Sequence, residues 1–404
     1  MRNSVNPLLA ARAAAVPPSA TAALDAHAKA LVAAGVSVVN LTSGEPAFPT
    51  VEPAARAAER AIAEDFTRYT PAAGIPELRA AIAAHLNRHG TVYDASEVVV
   101  AAGAKQALHY AFTALLDPGD EVLVPAPYWV SYPHLIALAG GTLVPIHPAP
   151  ASGLKVTPEQ VRAAATDRTK VLLLNSPANP SGVVYNRYEL AALAEVAVEL
   201  DLVIVSDEIC DHWVFGDARF TSVAALGPEV AARTVTIGGV SKTFAMTGWR
   251  IGWLAGPTAL VSAVTALQSH TASAPSSIAQ RAALGALTAE LGPELERRRS
   301  ELDARRLTTI KALTGLPGVR VAGEPEGAFF LLADVSGLYG KTYGDRTIDS
   351  AAAFAELLLS EANVAVVPGA DFAAPDHVRI SYTVPPEQLA EALDRVARFV
   401  SALS

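Results

Sequence analysis

"TVTIGGVSKTFAMTGWRIG", residues 234–252, runs an apolar, β-branched stretch into two glycines, then a Ser-Lys pair and an arginine. A short run with no helical spacing, closed by glycine, reads as a buried strand. The pattern recurs upstream in "EVVV" (97–100), "EVLVP" (121–125), "KVLLLN" (170–175) and "LVIVSD" (202–207). Between these runs lie segments such as "RYELAALAEVAVEL", apolar at helical spacing. Strand and helix in alternation predict an α/β fold, a mainly parallel sheet with helices on both faces. Ligands of such sheets sit beyond the carboxyl ends of the strands. The residues that follow each strand are therefore the functional candidates. Charged helical text, "ELERRRSELDARRL" (294–307), marks a change of character and leads into a second, smaller part. The segment up to about Leu41 is expected to pack with that part.

Composition narrows the function classes. The chain has 404 residues, 51% of them hydrophobic, enough for a sizeable core. A net charge of −9 argues against nucleic acid and anionic membrane surfaces as partners. One cysteine cannot form an intrachain disulfide, which favours a reducing, cytoplasmic setting. The opening "MRNSVNPLLAARAAAVPPSA" has a faint signal-peptide character, but its apolar stretch is short and broken by Arg12. No apolar run reaches the ~18 residues of a membrane span.

The strand ends carry the chemistry. After "EVVV" comes "AAGAKQAL", a glycine turn opening a helix, which can offer N–H groups to a phosphate or be an ordinary strand–helix turn. "SPANPSG" follows "KVLLLN", and Asp207 and Glu208 follow "LVIV". Ser241, Lys242 and Arg250 follow "TVTIGG". A lone lysine here reads as a surface charge, and strand-end carboxylates read as caps. Together they put a phosphate turn, an Asn, an Asp, a Lys and an Arg beside one crevice. Pyridoxal 5'-phosphate needs that set: an amine for its aldehyde, a carboxylate for its ring nitrogen, N–H donors and a cation for its phosphate. No residue is assigned to a metal.

With "LTSGEPAF", "RYTPAAGIPELR", "GAKQAL", "DPGDEVLVPAPYWVSYP", "NSPANPSG", "SDEI", "SKTFAMTGWRIGW", "VAVVPGADF" and "HVRISY" in this order, the chain resembles fold-type I pyridoxal-phosphate enzymes. Within them it resembles class I aminotransferases, in particular the bacterial-type aspartate and prephenate group. The resemblance implies a large cofactor-binding domain, residues 46–290, with a mainly parallel seven-stranded sheet between helices. It also implies a smaller α+β domain at 291–404 and an N-terminal arm at 1–45.

The same resemblance implies residue roles. Lys242 matches the lysine that forms the Schiff base and carries the proton. Asp207 matches the partner of the ring nitrogen, Asn179 the donor to the ring oxygen, and Trp129 the aromatic stacked on the ring. Cys210 lies on the cofactor. The phosphate falls to the turn Gly103, Ala104 and Lys105, to Arg250, and to Tyr69 of the other subunit, which implies a homodimer with shared sites. Gly239 stands where many relatives carry a hydroxyl, so one phosphate contact is expected to be missing. Arg379 matches the bidentate grip on the substrate α-carboxylate, with Gly44, Trp129 and Asn179 beside it.

The substrate is less defined. In relatives with "GAKQ", Lys105 lies near the distal carboxylate of an acidic substrate. A cation is unfavourable at a helix N-terminus, so the placement hints at use. His270 and Ser273 fall where the partner subunit usually approaches. Cys210 stands for a usual tyrosine, Ala47 for a frequent acidic residue, and "APDH" (374–377) for "AFGH". These departures bear on the substrate and leave the cofactor assignment intact. The expected activity is amino transfer between an L-amino acid and a 2-oxo acid. Elimination, replacement or cyclisation on the same cofactor is the alternative, and a cofactor-binding regulator is the reading of another class.

Overall fold

In the computed structural model, residues 8–18, 20–150 and 152–404 are described; the start of the signal-like opening, residues 1–7, lies outside them. Among the described residues, seven strands form the central sheet. They are β1 (Val98–Ala101), β2 (Glu121–Pro125), β3 (Thr142–Ile146), β4 (Thr169–Asn175), β5 (Val203–Asp207), β6 (Thr234–Gly239) and β7 (Gly252–Ala255). Their order is β1-β7-β6-β5-β4-β2-β3. Only β7 runs antiparallel, against β1 on one side and β6 on the other. The expected α/β class and seven-stranded, mainly parallel sheet are observed. β3 and β7, absent from the strands read in the sequence, complete it: "TLVPI" carries a proline and lies at the edge, and "GWLA" is short.

Alternation along the strands explains why both faces are covered. Val122, Val124, Val171, Leu173 and Val205 enter one hydrophobic cluster. Leu123, Leu172, Leu174 and Ile204, one residue out of phase, enter another on the opposite face. The helices that flank the sheet obey their local signals. Pro76 and Glu77 open α1 (Pro76–Asn87). Gly103, at φ +87°, lets the chain turn from β1 into α2 (Ala104–Leu115).

A second sheet lies towards the C-terminus: β8 (Arg320–Ala322), β9 (Phe330–Asp334), β10 (Val367–Pro368) and β11 (His377–Ser381), antiparallel in the order β10-β11-β9-β8. The charged text 294–307 falls inside α3 (Gly292–Thr314). Its buried positions Arg298, Leu302, Arg305, Thr309 and Leu313 recur every three or four residues and form one stripe. The two arginines of that stripe lie over the ring of Phe48, at 5.2 and 5.4 Å. Val39–Asn40 pairs in parallel with Val364–Ala365, so the segment ending near Leu41 does pack with the C-terminal elements. No helix among the described residues is long and apolar enough to cross a membrane.

The loop after β5 joins the two sheets. Cys210, Trp213 and Phe215 belong to the hydrophobic cluster otherwise built from residues 302–403, with Val39 and Leu41. Trp213 is fully buried, stacked on Phe48 at 6.4 Å and edge-on to His212 at 5.1 Å. Trp213→Ala is expected to cost about 3–5 kcal/mol, the usual loss for an aromatic removed from a core, read by chemical denaturation. A loss below about 1 kcal/mol would mean that the loop, not the ring, holds the two sheets together.

Candidate active site

One cavity of about 350 Å³ opens over the carboxyl ends of the parallel strands, and residues from β9 and β11 close it from the other side. It is lined by Gly44, Ala104, Lys105, Trp129, Asn179, Asp207, Cys210, Lys242, Arg250 and Arg379. These residues, separate in the sequence, meet because each lies at or just past a strand end. Arg379 differs: it sits within β11 and enters from the second sheet.

Asp207, the last residue of β5, is buried and anchors the floor. Tyr132 Oη donates to its Oδ2 at 2.7 Å, and the Ile209 N–H approaches its Oδ1 at 3.3 Å. Burial raises the carboxyl pKa, and the Tyr132 hydrogen bond opposes that rise. Glu208 points to the other side, where Ser206 Oγ, Ser222 Oγ and the Val223 N–H donate to it. The two strand-end carboxylates thus part by strand alternation, and only Asp207 lines the cavity.

Lys242, three residues past β6, donates from Nζ to the Gly44 carbonyl at 2.6 Å. Burial lowers the pKa of this amine, which favours the neutral, nucleophilic form. Cys210 is buried beside it, and burial pushes the thiol pKa up to about 12, so it stays protonated. Asn179 accepts from Arg379 Nη1 at 3.1 Å through Oδ1. That leaves its amide NH2 to donate. Trp129 stands edge-on to Tyr132, ring centroids 5.4 Å apart, and Lys105 Nζ lies 4.9 Å from the Trp129 ring centre.

Charge distribution in the cavity differs from that of the whole chain. Lys105, Arg250, Arg379 and the amine of Lys242 share the cavity with three carboxylates, Asp25, Glu45 and Asp207. Arg379 is buried, donates from Nη2 to the Thr42 carbonyl at 2.8 Å, and lies over the rings of Phe330 and Phe372 at 4.5 and 5.0 Å. Its Nε has no hydrogen-bond partner among the described residues. Burial without a facing carboxylate pulls its pKa down, yet a guanidinium stays charged at neutral pH. Arg250 donates to the Thr247 carbonyl at 2.7 Å, with the Ala102 carbonyl at 3.4 Å. A Cβ on Gly103 would run into the Arg250 guanidinium, and the positive φ there also favours glycine, so the cradle between this arginine and the start of α2 stays open. A helix N-terminus facing an arginine is a site for a phosphate, and a buried, unpaired guanidinium is one for a carboxylate.

Some candidates lie elsewhere. Tyr69 is 96% exposed and outside the cavity, as are His270 and Ser273. Gly239 is confined: a Cβ there would meet Ile209 Cδ1 at 3.0 Å and Gly252 Cα at 3.1 Å, so a hydroxyl-bearing residue needs a shift of its neighbours. Sequence reasoning missed Tyr132 and Asn175. Asn175 Nδ2 donates to the Asp207 carbonyl at 2.9 Å while its Oδ1 accepts the Asn179 N–H at 2.9 Å, which ties two strand ends together. Their signal was present: Asn175 ends a strand, and Tyr132 follows Trp129 by three residues.

Comparison with known proteins decides the family. The family described as aminotransferase class I and II matches residues 36–396. The chain belongs to the class I and II aminotransferases. Aspartate aminotransferase of Streptomyces avermitilis is 46% identical over 97% of this chain and 96% of its own length. The aspartate/prephenate aminotransferase of Cereibacter sphaeroides is also 46% identical, over 97% and 98%. The solved structure of aspartate aminotransferase from Thermus thermophilus with maleate superposes with a TM-score of 0.91 at 44% identity, over 96% and 99% of the two chains. The protein is therefore an enzyme that transfers amino groups, and no observation favours the elimination or regulatory readings.

In this aminotransferase the Tyr132–Asp207 bond is the removable support of the buried carboxylate. Tyr132→Phe is expected to cost about 1.5–3 kcal/mol of carboxylate stabilisation, the range for hydrogen bonds to charged groups. That raises the Asp207 pKa further. The acid limb of the rate–pH profile should then move to higher pH; an unmoved limb would show that other groups hold the charge.

Proposed function

We propose that this aminotransferase binds pyridoxal 5'-phosphate in the cavity and exchanges the amino group of an acidic L-amino acid, aspartate foremost, with a 2-oxo acid. The observation that carries the reading is that the guanidinium groups of Arg250 and Arg379 are bonded only to neutral oxygens. The cavity asks for two anions at separate places, a phosphate near Gly103 and a carboxylate near Arg379. The donor set fits the cofactor, which supplies when bound an aldehyde to hold the amino group and a ring that withdraws electrons from the substrate Cα.

The residues divide the remaining work. Asp207 keeps a negative charge for the ring nitrogen, backed by Tyr132. Asn179 offers its NH2 to the ring oxygen, and Cys210 offers only a protonated thiol, a weak donor. Trp129 would pack against the ring, and Gly103, Ala104, Lys105 and Arg250 would hold the phosphate. Lys242 Nζ would hold the cofactor's aldehyde and would move the proton at the substrate Cα; its lowered pKa suits both tasks. Arg379 grips the α-carboxylate, with the Gly44 backbone beside it.

Lys105 supports an acidic substrate. It is a cation on the cavity wall, and burial, with Arg250 as a second cause, lowers its pKa. A distal carboxylate would relieve that repulsion. The names of the Streptomyces and Cereibacter relatives support the same class, as does maleate, a dicarboxylate, in the Thermus structure. The exposure of Tyr69 supports a homodimer in which it reaches the partner's phosphate site. Clusters confined to the central sheet support a cofactor-binding domain (46–290), and the cluster of residues 302–403 supports a smaller domain (291–404) on which the arm (1–45) packs through Val39 and Leu41. The buried lone cysteine supports a cytoplasmic setting.

Amino transfer from aspartate to 2-oxoglutarate tests the substrate. Arg379→Lys keeps the charge and loses the fork, so kcat/KM should fall by about 10–150-fold, the equivalent of ~1.5–3 kcal/mol. An unchanged value for every α-amino acid would remove Arg379 from the carboxylate site. Mixed dimers test the shared site: a Tyr69→Phe chain and a Lys242→Ala chain, each impaired alone, should together regain activity. Full activity in a verified monomer would exclude sharing.

A further inference from the structure

We propose that His85, His89 and Asp211 form a binding site for a divalent transition-metal cation, zinc by the chemistry of its donors, outside the catalytic cavity. His85 lies in the last turn of α1 and His89 two residues past its end, and both rings reach the same carboxylate. Both aim Nε2 at one oxygen: Asp211 Oδ2 lies 3.1 Å from His85 and 3.4 Å from His89. The three donor atoms lie within 4.8 Å of one another. Zinc bonds of about 2.0–2.1 Å in tetrahedral array set neighbouring donors roughly 3.3 Å apart. The two His–Asp edges already have that length.

The surroundings are those of a held site. Asp211 Oδ1 accepts the His212 N–H at 2.8 Å and the Thr243 hydroxyl at 3.1 Å, which fixes the carboxylate and presents Oδ2 to the histidines. Such outer contacts orient ligands and sharpen metal affinity. Rings fix the imidazoles as well: His85 lies 5.9 Å from Trp253 and 6.3 Å from Phe244, and His89 lies edge-on to Phe220 at 4.8 Å. The side chains of His85 and Asp211 are 12% and 13% exposed, that of His89 28%, so a cation has an entry on the His89 side and a position for a water. Two imidazoles and one carboxylate suit zinc rather than magnesium or calcium. Ligation through Nε2 requires each ring in its Nδ1–H tautomer.

The placement suggests what the cation does. Asp211 adjoins Cys210, and Thr243 adjoins Lys242. A bound ion ties α1 to the two loops that deliver these residues to the cavity, and so braces the site without entering it. Asp211 lies 126 positions from His85, too far for any sequence motif to join them.

The test uses tag-free enzyme with its cofactor bound, stripped with a chelator and titrated with zinc chloride by calorimetry. About one ion per chain is expected, and cobalt chloride should give visible ligand-field absorption. His85→Ala and His89→Ala should each weaken zinc binding at least ~10-fold, and Thr243→Val by about 10-fold through the carboxylate it orients. His27→Ala, at an exposed histidine elsewhere, should bind as the parent does. Circular dichroism and cofactor absorbance report whether each variant is folded. No saturable zinc in the parent enzyme overturns the proposal. So does undiminished binding in the folded double variant His85→Ala/His89→Ala.

Discussion

A buried carboxylate at the end of the middle strand is the constraint around which the molecule is arranged. Asp207 lies under the cavity with one tyrosine hydroxyl and one N–H to hold its charge. Burial alone would push it towards the neutral acid. Tyr132 must therefore sit at the start of its helix, Asn175 must clamp the neighbouring strand end, and Lys242 must arrive from the next strand over. The order β6-β5-β4 places the sources of Lys242 and Asn175 on either side of Asp207, and Tyr132 comes from beyond β2, one strand further out.

The cavity is unusual for an acidic protein. Its two arginines are bonded to neutral oxygens and to none of the carboxylates that share the cavity. Arg379 is supported by two aromatic faces and an amide oxygen instead of an acid. This costs stability in the empty protein and favours anions strongly, since an unpaired buried charge gains most from a partner. Binding strength at this site comes from pairing withheld during folding.

The loop from Asp207 to Phe215 serves three purposes within nine residues. Asp207 and Cys210 face the cavity, Asp211 faces two histidines and Thr243, and Trp213 and Phe215 enter the C-terminal core. The packing of one sheet on the other is therefore linked to the cavity floor through the buried side chains of Cys210, Trp213 and Phe215.

Local residue pattern determined the class of the sheet and five of its seven strands; β3 and β7 were decided by the tertiary structure. Apolar runs with glycine or polar ends specify buried parallel strands, because only such runs satisfy two covered faces, and the ligand edge follows from the strand direction. "KVLLLN", "LVIVSD" and "TVTIGG" therefore announced Asn179, Asp207 and Lys242 together. The family motifs added Arg379, which no strand-end rule reaches because it comes from a different sheet. Tertiary structure decided the rest. Tyr132 became the support of Asp207 only when α/β packing brought residues 75 positions apart to 2.7 Å. Glu208 left the cavity because a strand turns successive side chains to opposite faces. His85, His89 and Asp211 met only across the packing of a helix on a loop. Hydrogen bonds and ligand sets depend on distances in space, and a one-dimensional pattern carries those only where the secondary-structure period repeats them.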